Sequence, residues 1–288
     1  MSIHLFVSDL DGTLLHRPDH TITPQDLSAL HEASAAGIGI CLASGRLNPD
    51  IEATAAKLGV PCHTISQNGT AVYRLERGRV HGAQFDLRLA QEVYAFPASG
   101  SFARSVSCSD EAVYTPTEHV DLGPVEKRVT SPFVRRENLM ESFGVQLAPT
   151  KFCYYGKLEE LQRFQREIQS AFGDRIDALL TDVDCLDVMP AGVSKGAGLQ
   201  VLMEHLGLSA DEVACIGDQF NDVSMFGVTP HSFAMSHGPA AVQGKASHVV
   251  DSVAEAVRWV IAHNAHNARH AHDAGNPLAV RKTSSSRD

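Results

Sequence analysis

The pattern that most restricts the fold of this chain is an alternation of strand and helix signals over its first 66 residues. Apolar runs at residues 3–8, 38–43 and 61–66 predict strands, and the segments 25–36 and 50–58 between them have apolar residues at helical spacing. Because a single helix separates each pair of strands, the strands are expected to be parallel. We therefore predict an α/β fold with a parallel sheet, in which ligands bind at the carboxyl ends of the strands.

This alternation is interrupted between about residues 72 and 187. The segment 76–79 (Glu-Arg-Gly-Arg) separates two strand signals, as in a hairpin, and an amphipathic helix is predicted over 158–172. These signals favour an α+β region with an antiparallel sheet. The strand and helix alternation returns from Ser194. A second domain is therefore predicted to be inserted into the first.

The resulting division has a discontinuous core domain of residues 1–82 and 186–263 and an inserted domain of residues 83–185. The last segment, 264–288, is rich in His, Ala, Asn and Ser and has no apolar periodicity. We expect it to be a disordered tail, and we assign no function to its histidines.

Charge and composition exclude several classes of protein. The chain has 24 Lys and Arg against 34 Asp and Glu, a net charge of −10, so we expect no nucleic-acid partner and no binding to anionic membranes. No apolar run reaches the roughly 18 residues that span a bilayer. The N-terminus has no basic segment before Asp9 and does not resemble a signal peptide. The six cysteines are scattered and predict buried thiols in a cytoplasmic protein.

Two carboxylates close the first predicted strand, in the segment Asp9-Leu-Asp11-Gly12-Thr. Side chains two apart on an extended chain point to the same side, so Asp9 and Asp11 can lie together, and Gly12 permits a tight turn after them. An isolated pair of this kind is also compatible with a solvated turn. The residues at other strand ends distinguish between these two interpretations.

Further polar residues occur at comparable places in the predicted core. Ser44 and Gly45 close the second strand, where a hydroxyl and free main-chain N–H groups suit an anion. Lys195 begins a helix, and a cation there opposes the helix dipole, which indicates an anionic neighbour. The segment 217–222 (Gly-Asp-Gln-Phe-Asn-Asp) supplies hard oxygen ligands that suit Mg²⁺ rather than zinc.

The motifs Asp-x-Asp-Gly-Thr at 9–13 and Gly-Asp-x-x-Asn-Asp at 217–222 make the chain resemble the haloacid dehalogenase (HAD) superfamily. It is most similar to the Cof-type phosphatases with a C2 (type IIB) cap, over roughly residues 3–262. The resemblance implies a HAD-like Rossmannoid core with a parallel sheet. It also implies that the inserted α+β domain is a C2-type cap.

The resemblance implies roles for four aspartates. Asp9 attacks phosphorus and Asp11 is the general acid and base, so Asp9 has to be ionised and Asp11 protonated, and their surroundings should separate their pKa values. The implied ligands of Mg²⁺ are Asp9, the main-chain carbonyl of Asp11 and Asp218, with Asp222 in or beside the coordination sphere.

The phosphate group is implied to lie among residues from several strand ends. Ser44 and Lys195 hold phosphoryl oxygens, and Asn221 orients one of these two side chains. The Arg46 side chain and the turn at Asn68 are implied substrate contacts. The full implied set of phosphate and substrate contacts is Ser44, Gly45, Arg46, Asn68, Lys195 and Asn221.

These features predict a Mg²⁺-dependent phosphatase that hydrolyses a small phosphorylated metabolite, a sugar phosphate or a related cofactor intermediate, through an aspartyl-phosphate intermediate. A phosphomutase of the same superfamily, acting on hexose phosphates, remains the alternative. The cap is expected to select the leaving group. Its candidate recognition residues are Arg104, His119, Arg128 and Lys151.

Overall fold

The computed structural model of the protein describes residues 1–16, 19–97, 102–108, 112–117 and 131–274 of the 288-residue chain. The strands are, in chain order, β1 (Leu5–Asp9), β2 (Gly39–Ala43), β3 (Cys62–Ser66), β4 (Ala71–Arg74), β5 (Gly78–Gly82), β6 (Ala103–Cys108), β7 (Ala112–Pro116), β8 (Phe133–Arg136), β9 (Pro149–Tyr155), β10 (Ile176–Asp182), β11 (Cys185–Pro190), β12 (Val213–Gly217), β13 (His231–Met235) and β14 (His248–Val250). The helices are α1 (Pro24–Ala35), α2 (Asn48–Leu58), α3 (Leu87–Ala95), α4 (Leu158–Phe172), α5 (Lys195–Leu206), α6 (Val223–Phe226), α7 (Ala240–Gln243) and α8 (Val253–Ala274).

The core contains an eight-stranded sheet in the order β14-β13-β12-β1-β2-β3-β4-β5. The strands from β14 to β3 are parallel, and β4 and β5 add an antiparallel hairpin at one edge. Strand β1 lies in the middle, between β12 and β2. The prediction of an α/β fold with a parallel sheet is therefore confirmed.

Alternate side chains of β1 enter two apolar layers, one on each face of the core sheet. Phe6 belongs to the layer that contains Leu30 of α1 and Val257 of α8. Val7 belongs to the opposite layer, with Leu199 of α5. Burial on both faces explains why the sequence of this strand is almost continuously apolar.

The cap is a six-stranded sheet in the order β10-β11-β9-β6-β7-β8. Its neighbouring strands are antiparallel, except that β8 is parallel to β7. Phe164 and Ile168 of α4 pack in one apolar cluster with Phe152 of β9 and Val188 of β11. The amphipathic helix predicted over 158–172 therefore covers this sheet, and the α+β prediction for the inserted domain is confirmed.

The structure differs from the predicted return to the core at residue 186. Strand β11 (Cys185–Pro190) pairs with β9 and β10 and so completes the cap sheet. The core resumes after Pro190, with α5. A short apolar run does not reveal which sheet it joins, because strand periodicity is the same in both.

The prediction of a tail from residue 264 is wrong over residues 264–274, since α8 continues to Ala274. The side chain of Asn264 accepts from the main-chain N–H of Ile3 at 2.7 Å and donates to its carbonyl at 2.8 Å. Asn267 donates to the carbonyl of Met1 at 2.7 Å. Contact with the N-terminus therefore holds this polar helix in place. The remaining part of the predicted tail, 275–288, lies outside the described residues.

The cysteines form no disulfide, as predicted. Cys41, Cys108, Cys153 and Cys215 are buried, and Cys62 and Cys185 are half-buried. Among the described helices, none combines the length and the apolar character that crossing a membrane requires.

Candidate active site

Three neighbouring parallel strands bring the predicted residues to one edge of the core sheet. Asp9 is the last residue of β1 and lies beside Ala43, the last residue of β2. Ser44 follows β2 and Asp218 follows β12, on either side of β1. These three polar residues are each at most 5% exposed. The topology thus gathers residues that are far apart in the sequence.

Asp9, Asp218 and Asp222 form a cluster of buried carboxylates. One oxygen of each lies within 4.8 Å of the others. The Nζ of Lys195 donates to Oδ1 of Asp9 at 2.5 Å and to Oδ1 of Asp222 at 2.6 Å. One ammonium group does not balance three carboxylates, so the ionised cluster carries an excess of buried negative charge.

This donor set fits a hard divalent cation such as Mg²⁺, which prefers carboxylate oxygens. The carboxylate of Asp222 is already engaged, because Oδ1 accepts from Lys195 and Oδ2 accepts from the N–H groups of Asp218 and Gln219, each at 2.9 Å. The carboxylate of Asp218 accepts from the neutral side chains of Thr13 and Gln219, and Asp9 accepts from Lys195 through Oδ1, so these two carboxylates are better placed to bind a cation directly. Asp222 instead holds Lys195 and the loop after β12.

The crowding of acids shifts their protonation. Burial, followed by repulsion from Asp222, raises the pKa of Asp9 and of Asp218 above the usual range. Burial lowers the pKa of Lys195, but attraction to Asp222 and Asp9 outweighs it, so this pKa lies above its usual value. A divalent cation favours the ionised carboxylates and so opposes their shift.

Asp11 has a different environment. Arg46 donates from Nε to Oδ2 of Asp11 at 2.8 Å and from Nη2 to Oδ1 at 2.5 Å, and Nδ1 of His20 lies 3.3 Å from Oδ1. Burial alone raises the pKa of Asp11, but the hydrogen bonds and charge of Arg46 outweigh it and place this pKa below its usual value. The structure therefore separates the pKa values of Asp9 and Asp11, but in the direction opposite to the one expected for their roles.

Two adjoining turns arrange the predicted phosphate contacts. The N–H of Asn68 donates to the carbonyl of Ser44 at 2.9 Å, and the N–H of Gln67 donates to the carbonyl of Arg46 at 2.8 Å. Asn68 has a left-handed backbone, with φ of 57°. Its Oδ1 accepts from Nδ2 of Asn221 at 3.1 Å. Asn221 thus reaches the Ser44 turn through Asn68.

Gly12 lets the loop after β1 close against the loop after β12. Its φ is +94°, and a Cβ at this position would lie 2.5 Å from Oδ2 of Asp218. Thr13 donates to Oδ1 of Asp218 at 3.1 Å, and Gln219 donates to Oδ2 at 3.1 Å. These contacts fix the carboxylate of Asp218 at the floor of the site.

A cleft between the core and the cap opens onto this floor. Its core side includes Asp9, Asp11, Ser44, Gly45, Arg46 and Asn221, and its cap side combines apolar Val113 and Phe133 with charged Lys151, Asp182 and Asp187. Lys195 lies deeper, beneath Asp9, and is 1% exposed. A substrate in this cleft meets the acidic residues of the core on one side and the cap on the other.

Comparison with known proteins identifies the family. The model of the haloacid dehalogenase-like hydrolases matches residues 6–261. The chain belongs to this family. The HMP-PP phosphatase of Escherichia coli O6:H1 is 30% identical to this HAD-like hydrolase over 242 residues, which are 84% of this chain and 87% of that protein. The resemblance predicted from the motifs is confirmed, and the enzyme is a phosphatase.

Solved structures share the fold of this HAD-like hydrolase. A HAD/COF-like hydrolase from Plasmodium vivax superposes with a TM-score of 0.82 at 20% identity, covering 91% of this chain and 96% of that chain. The HAD subclass IIB sugar phosphatase BT4131 superposes with a TM-score of 0.72 at 19% identity, covering 87% of this chain and 94% of that chain. This similarity confirms the fold class, a HAD-like core with a cap domain.

The cap residues predicted for recognition have different positions. Lys151 lines the cleft. Arg104 instead lies over the ring of Tyr94, 4.5 Å from its centre, and donates to the Tyr94 carbonyl. His119 and Arg128 lie outside the described residues.

Three residues near the site escaped the sequence-based prediction. Gln219 lies inside the second motif and could have been included with it. Asp187 lies in an apolar strand, where a lone acid is a recognisable signal of a buried partner. His20 belongs to the irregular segment before α1, and no pattern in the sequence indicates its contact with Asp11.

Proposed function

We propose that this HAD-like phosphatase is Mg²⁺-dependent and hydrolyses a small phosphorylated metabolite through an aspartyl-phosphate intermediate. The buried carboxylate cluster beneath an open cleft carries this proposal. Asp9, Asp218 and the main-chain carbonyl of Asp11 would hold Mg²⁺, with Asp222 beside them. The cation supplies positive charge that lets a carboxylate approach a phosphate group.

In the first half of the reaction, a carboxylate oxygen of Asp9 attacks phosphorus and the bond from phosphorus to the leaving oxygen breaks. Asp11 gives its proton to that oxygen, which departs as part of the protonated leaving group. Lys195 orients Asp9, to which it is already hydrogen-bonded. The hydroxyl of Ser44 and the charge of Lys195 stabilise the phosphoryl oxygens.

In the second half, Asp11 takes a proton from water. The water oxygen attacks phosphorus, and the bond between phosphorus and Asp9 breaks. This releases inorganic phosphate and restores both side chains. Closure of the cap over the cleft excludes other water molecules while the aspartyl phosphate exists.

Arg46 controls when Asp11 can hold a proton. In the structure its guanidinium group binds both oxygens of Asp11 and stabilises the ionised form. An anionic substrate offers Arg46 another partner in the same cleft. Transfer of Arg46 from Asp11 to the substrate then frees Asp11 to bind the proton that it donates.

The substrate belongs to the class of small phosphorylated metabolites. Because a 30% identical relative is named an HMP-PP phosphatase, HMP-PP is the first compound to test. The apolar side chains of Val113 and Phe133 on the cap side suit a leaving group with an apolar face. The six free cysteines support the cytoplasm, a reducing compartment, as the location of the enzyme.

The proposal is tested with the purified full-length protein, Mg²⁺ and a panel of phosphorylated metabolites that includes HMP-PP and hexose phosphates. We expect release of inorganic phosphate that EDTA abolishes and added Mg²⁺ restores. Asp9→Asn should remove the activity. Unchanged turnover in that variant contradicts the covalent mechanism, and isomer formation without phosphate release identifies a phosphomutase instead.

A further inference from the structure

A buried ion pair in the cap reaches across to the core. The Nζ of Lys151 on β9 lies 3.0 Å from Oδ2 of Asp187 on β11, and the two residues are 6% and 1% exposed. Lys151 also donates across the domain boundary to the carbonyl of Gly45, at 2.7 Å. The pair therefore also binds the core domain, although both of its residues belong to the cap sheet.

Asp187 makes a second contact with the core. Its Oδ2 accepts from Nδ2 of Asn68 at 2.7 Å. Oδ1 of Asn68 in turn accepts from Asn221, and the main-chain N–H of Asn68 donates to the carbonyl of Ser44. One ion pair of the cap thus touches the turns that contain Ser44 and Asn68. Through Asn68 it also reaches the loop of Asn221, next to the carboxylate cluster.

Both charges of the pair are matched inside the protein. Burial disfavours a charged lysine, but attraction to Asp187 outweighs this and holds the pKa of Lys151 above its usual value. Hydrogen bonds to Gly45 and Asn68 satisfy polar groups that would otherwise be buried without partners. These bonds require the cap to lie against the core, so they link closure of the cap to the shape of both turns.

We propose that Lys151 and Asp187 are positioning residues, which set the Ser44 and Asn68 turns in their phosphate-binding arrangement when the cap is closed. This inference rests on the proposed role of Ser44 in binding phosphate. Lys151 acts through the carbonyl of Gly45, and Asp187 acts through the amide of Asn68. Neither residue takes part in proton or phosphoryl transfer.

The first test measures hydrogen exchange and needs no activity. In the full-length protein, Lys151→Met should speed amide exchange in peptides that cover residues 44–46 and 67–69, relative to peptides from β12. The reporters are the N–H groups of Gln67 and Asn68, which donate to the carbonyls of Arg46 and Ser44. Lys157→Met replaces an exposed lysine of the same cap and should leave this exchange unchanged. Unchanged exchange in Lys151→Met overturns the proposal.

The second test separates kcat from KM with a small phosphate ester as probe substrate. Displacement of the turns by about 1 Å can cost roughly 10²-fold in rate, so kcat should fall much more than KM changes in Lys151→Met and in Asp187→Asn. Lys151→Arg keeps the charge and should recover part of the loss. A rise in KM with kcat unchanged would instead make Lys151 a simple substrate contact and overturn the proposal.

Loss of one partner leaves the other charge buried and can unfold the chain. The paired variant Lys151→Met with Asp187→Leu removes both charges, and circular dichroism checks that it folds. Its kcat should be no lower than that of the worse single variant, because both residues act through one set of contacts. Losses that multiply in the paired variant overturn the proposal. If the unaltered enzyme hydrolyses no ester, the proposed function fails, while hydrogen exchange still decides the positioning role.

Discussion

Asp9 and Asp11 lie two residues apart and have the same kind of side chain, but their surroundings shift the two pKa values in opposite directions. Asp9 shares a buried site with other acids, which raises its pKa, whereas Arg46 lowers the pKa of Asp11. For the proposed reaction both shifts have to be reversed, by a cation at Asp9 and by loss of Arg46 from Asp11. In the proposed reaction, the binding of metal and substrate would therefore prepare both the acid and the nucleophile.

The proposed role of Asp11 predicts a particular defect. Asp11→Ala should slow turnover roughly 10²–10⁴-fold, because it removes the group that is proposed to deliver and take up the proton. With para-nitrophenyl phosphate, whose leaving group needs no proton, we expect a rapid burst of nitrophenolate as Asp9 is phosphorylated. Slow hydrolysis of the aspartyl phosphate follows the burst. Stopped-flow absorbance measures both phases, and turnover equal to that of the unaltered enzyme contradicts the assignment.

The close approach of Gly12 to Asp218 gives a second prediction. Gly12→Ala should lower the affinity for Mg²⁺ as well as stability, because its Cβ would lie 2.5 Å from the Asp218 carboxylate. Gly37→Ala is the matched control, since Gly37 also has positive φ but, apart from its chain neighbours, no described residue has an atom within 4 Å of its Cβ position. Both variants should lose roughly 1–2 kcal/mol from backbone strain. Calorimetric titration should show weaker Mg²⁺ binding in Gly12→Ala than in Gly37→Ala. Equal affinities in the two variants contradict a steric effect of the new Cβ on Asp218.

At the scale of elements, the apolar pattern of the sequence marks where the core strands end but not where helix α8 ends. The ends of β1, β2 and β12 carry the predicted polar residues, because each buried apolar run stops where the chain reaches the candidate site. Helix α8 does not stop where its apolar periodicity stops. Side-chain hydrogen bonds with Ile3 and Met1 extend it through a polar segment.

The extension of α8 predicts that part of the apparent tail contributes to stability. Truncation after His263 removes two hydrogen bonds between Asn264 and Ile3 and one between Asn267 and Met1, and should cost roughly 2 kcal/mol of the free energy of unfolding. Truncation after Ala274 keeps these bonds and should cost much less. Urea unfolding compares both with the full chain. Equal stability of the two truncated proteins would show that the contacts with the N-terminus contribute nothing.

For the whole molecule, the candidate active site lies between two domains that are held together by buried polar contacts. Asp50 of the core accepts from the N–H and the hydroxyl of Ser131 of the cap, each at 2.8 Å. Thr150 of the cap donates to Gln67 of the core at 2.7 Å. Domain closure in this structure therefore depends on specific bonds beside the cleft.

Metal binding should appear as a change in the stability of the whole protein. Saturation with Mg²⁺ at about 100 times Kd stabilises the folded chain by about 2.7 kcal/mol, so Tm should rise when Mg²⁺ is added to EDTA-treated protein. Asp218→Asn should abolish this rise and should not lower Tm without metal, because it removes a repelling charge. The control Asp174→Asn replaces an exposed acid and should keep the rise. Calorimetry measures each Tm, and a full Mg²⁺ response in Asp218→Asn contradicts the site.

Much of the architecture could be predicted from local patterns. Apolar periodicity indicated the parallel core sheet, the inserted domain and the helix over 158–172, because the period of each element is written in nearby residues. The same patterns placed Asp9, Ser44 and Asp218 at the ends of predicted strands, and the structure made those strands neighbours. They did not show that the run 185–190 joins the cap sheet, since the choice of a strand partner is not local.

The sequence by itself determined the two-domain α/β plan and the acidic, hydroxyl and lysine residues of the site, because periodicity and motif spacing depend on neighbouring residues. Only the tertiary structure decided which of these side chains contact one another. Lys195 meets Asp9 from 186 positions away, and Asn68 meets Asp187 from 119 positions away. Those contacts depend on how the sheets pack and on which buried charges need neutralising. They turn a set of suitable residues into a site with defined charge and geometry.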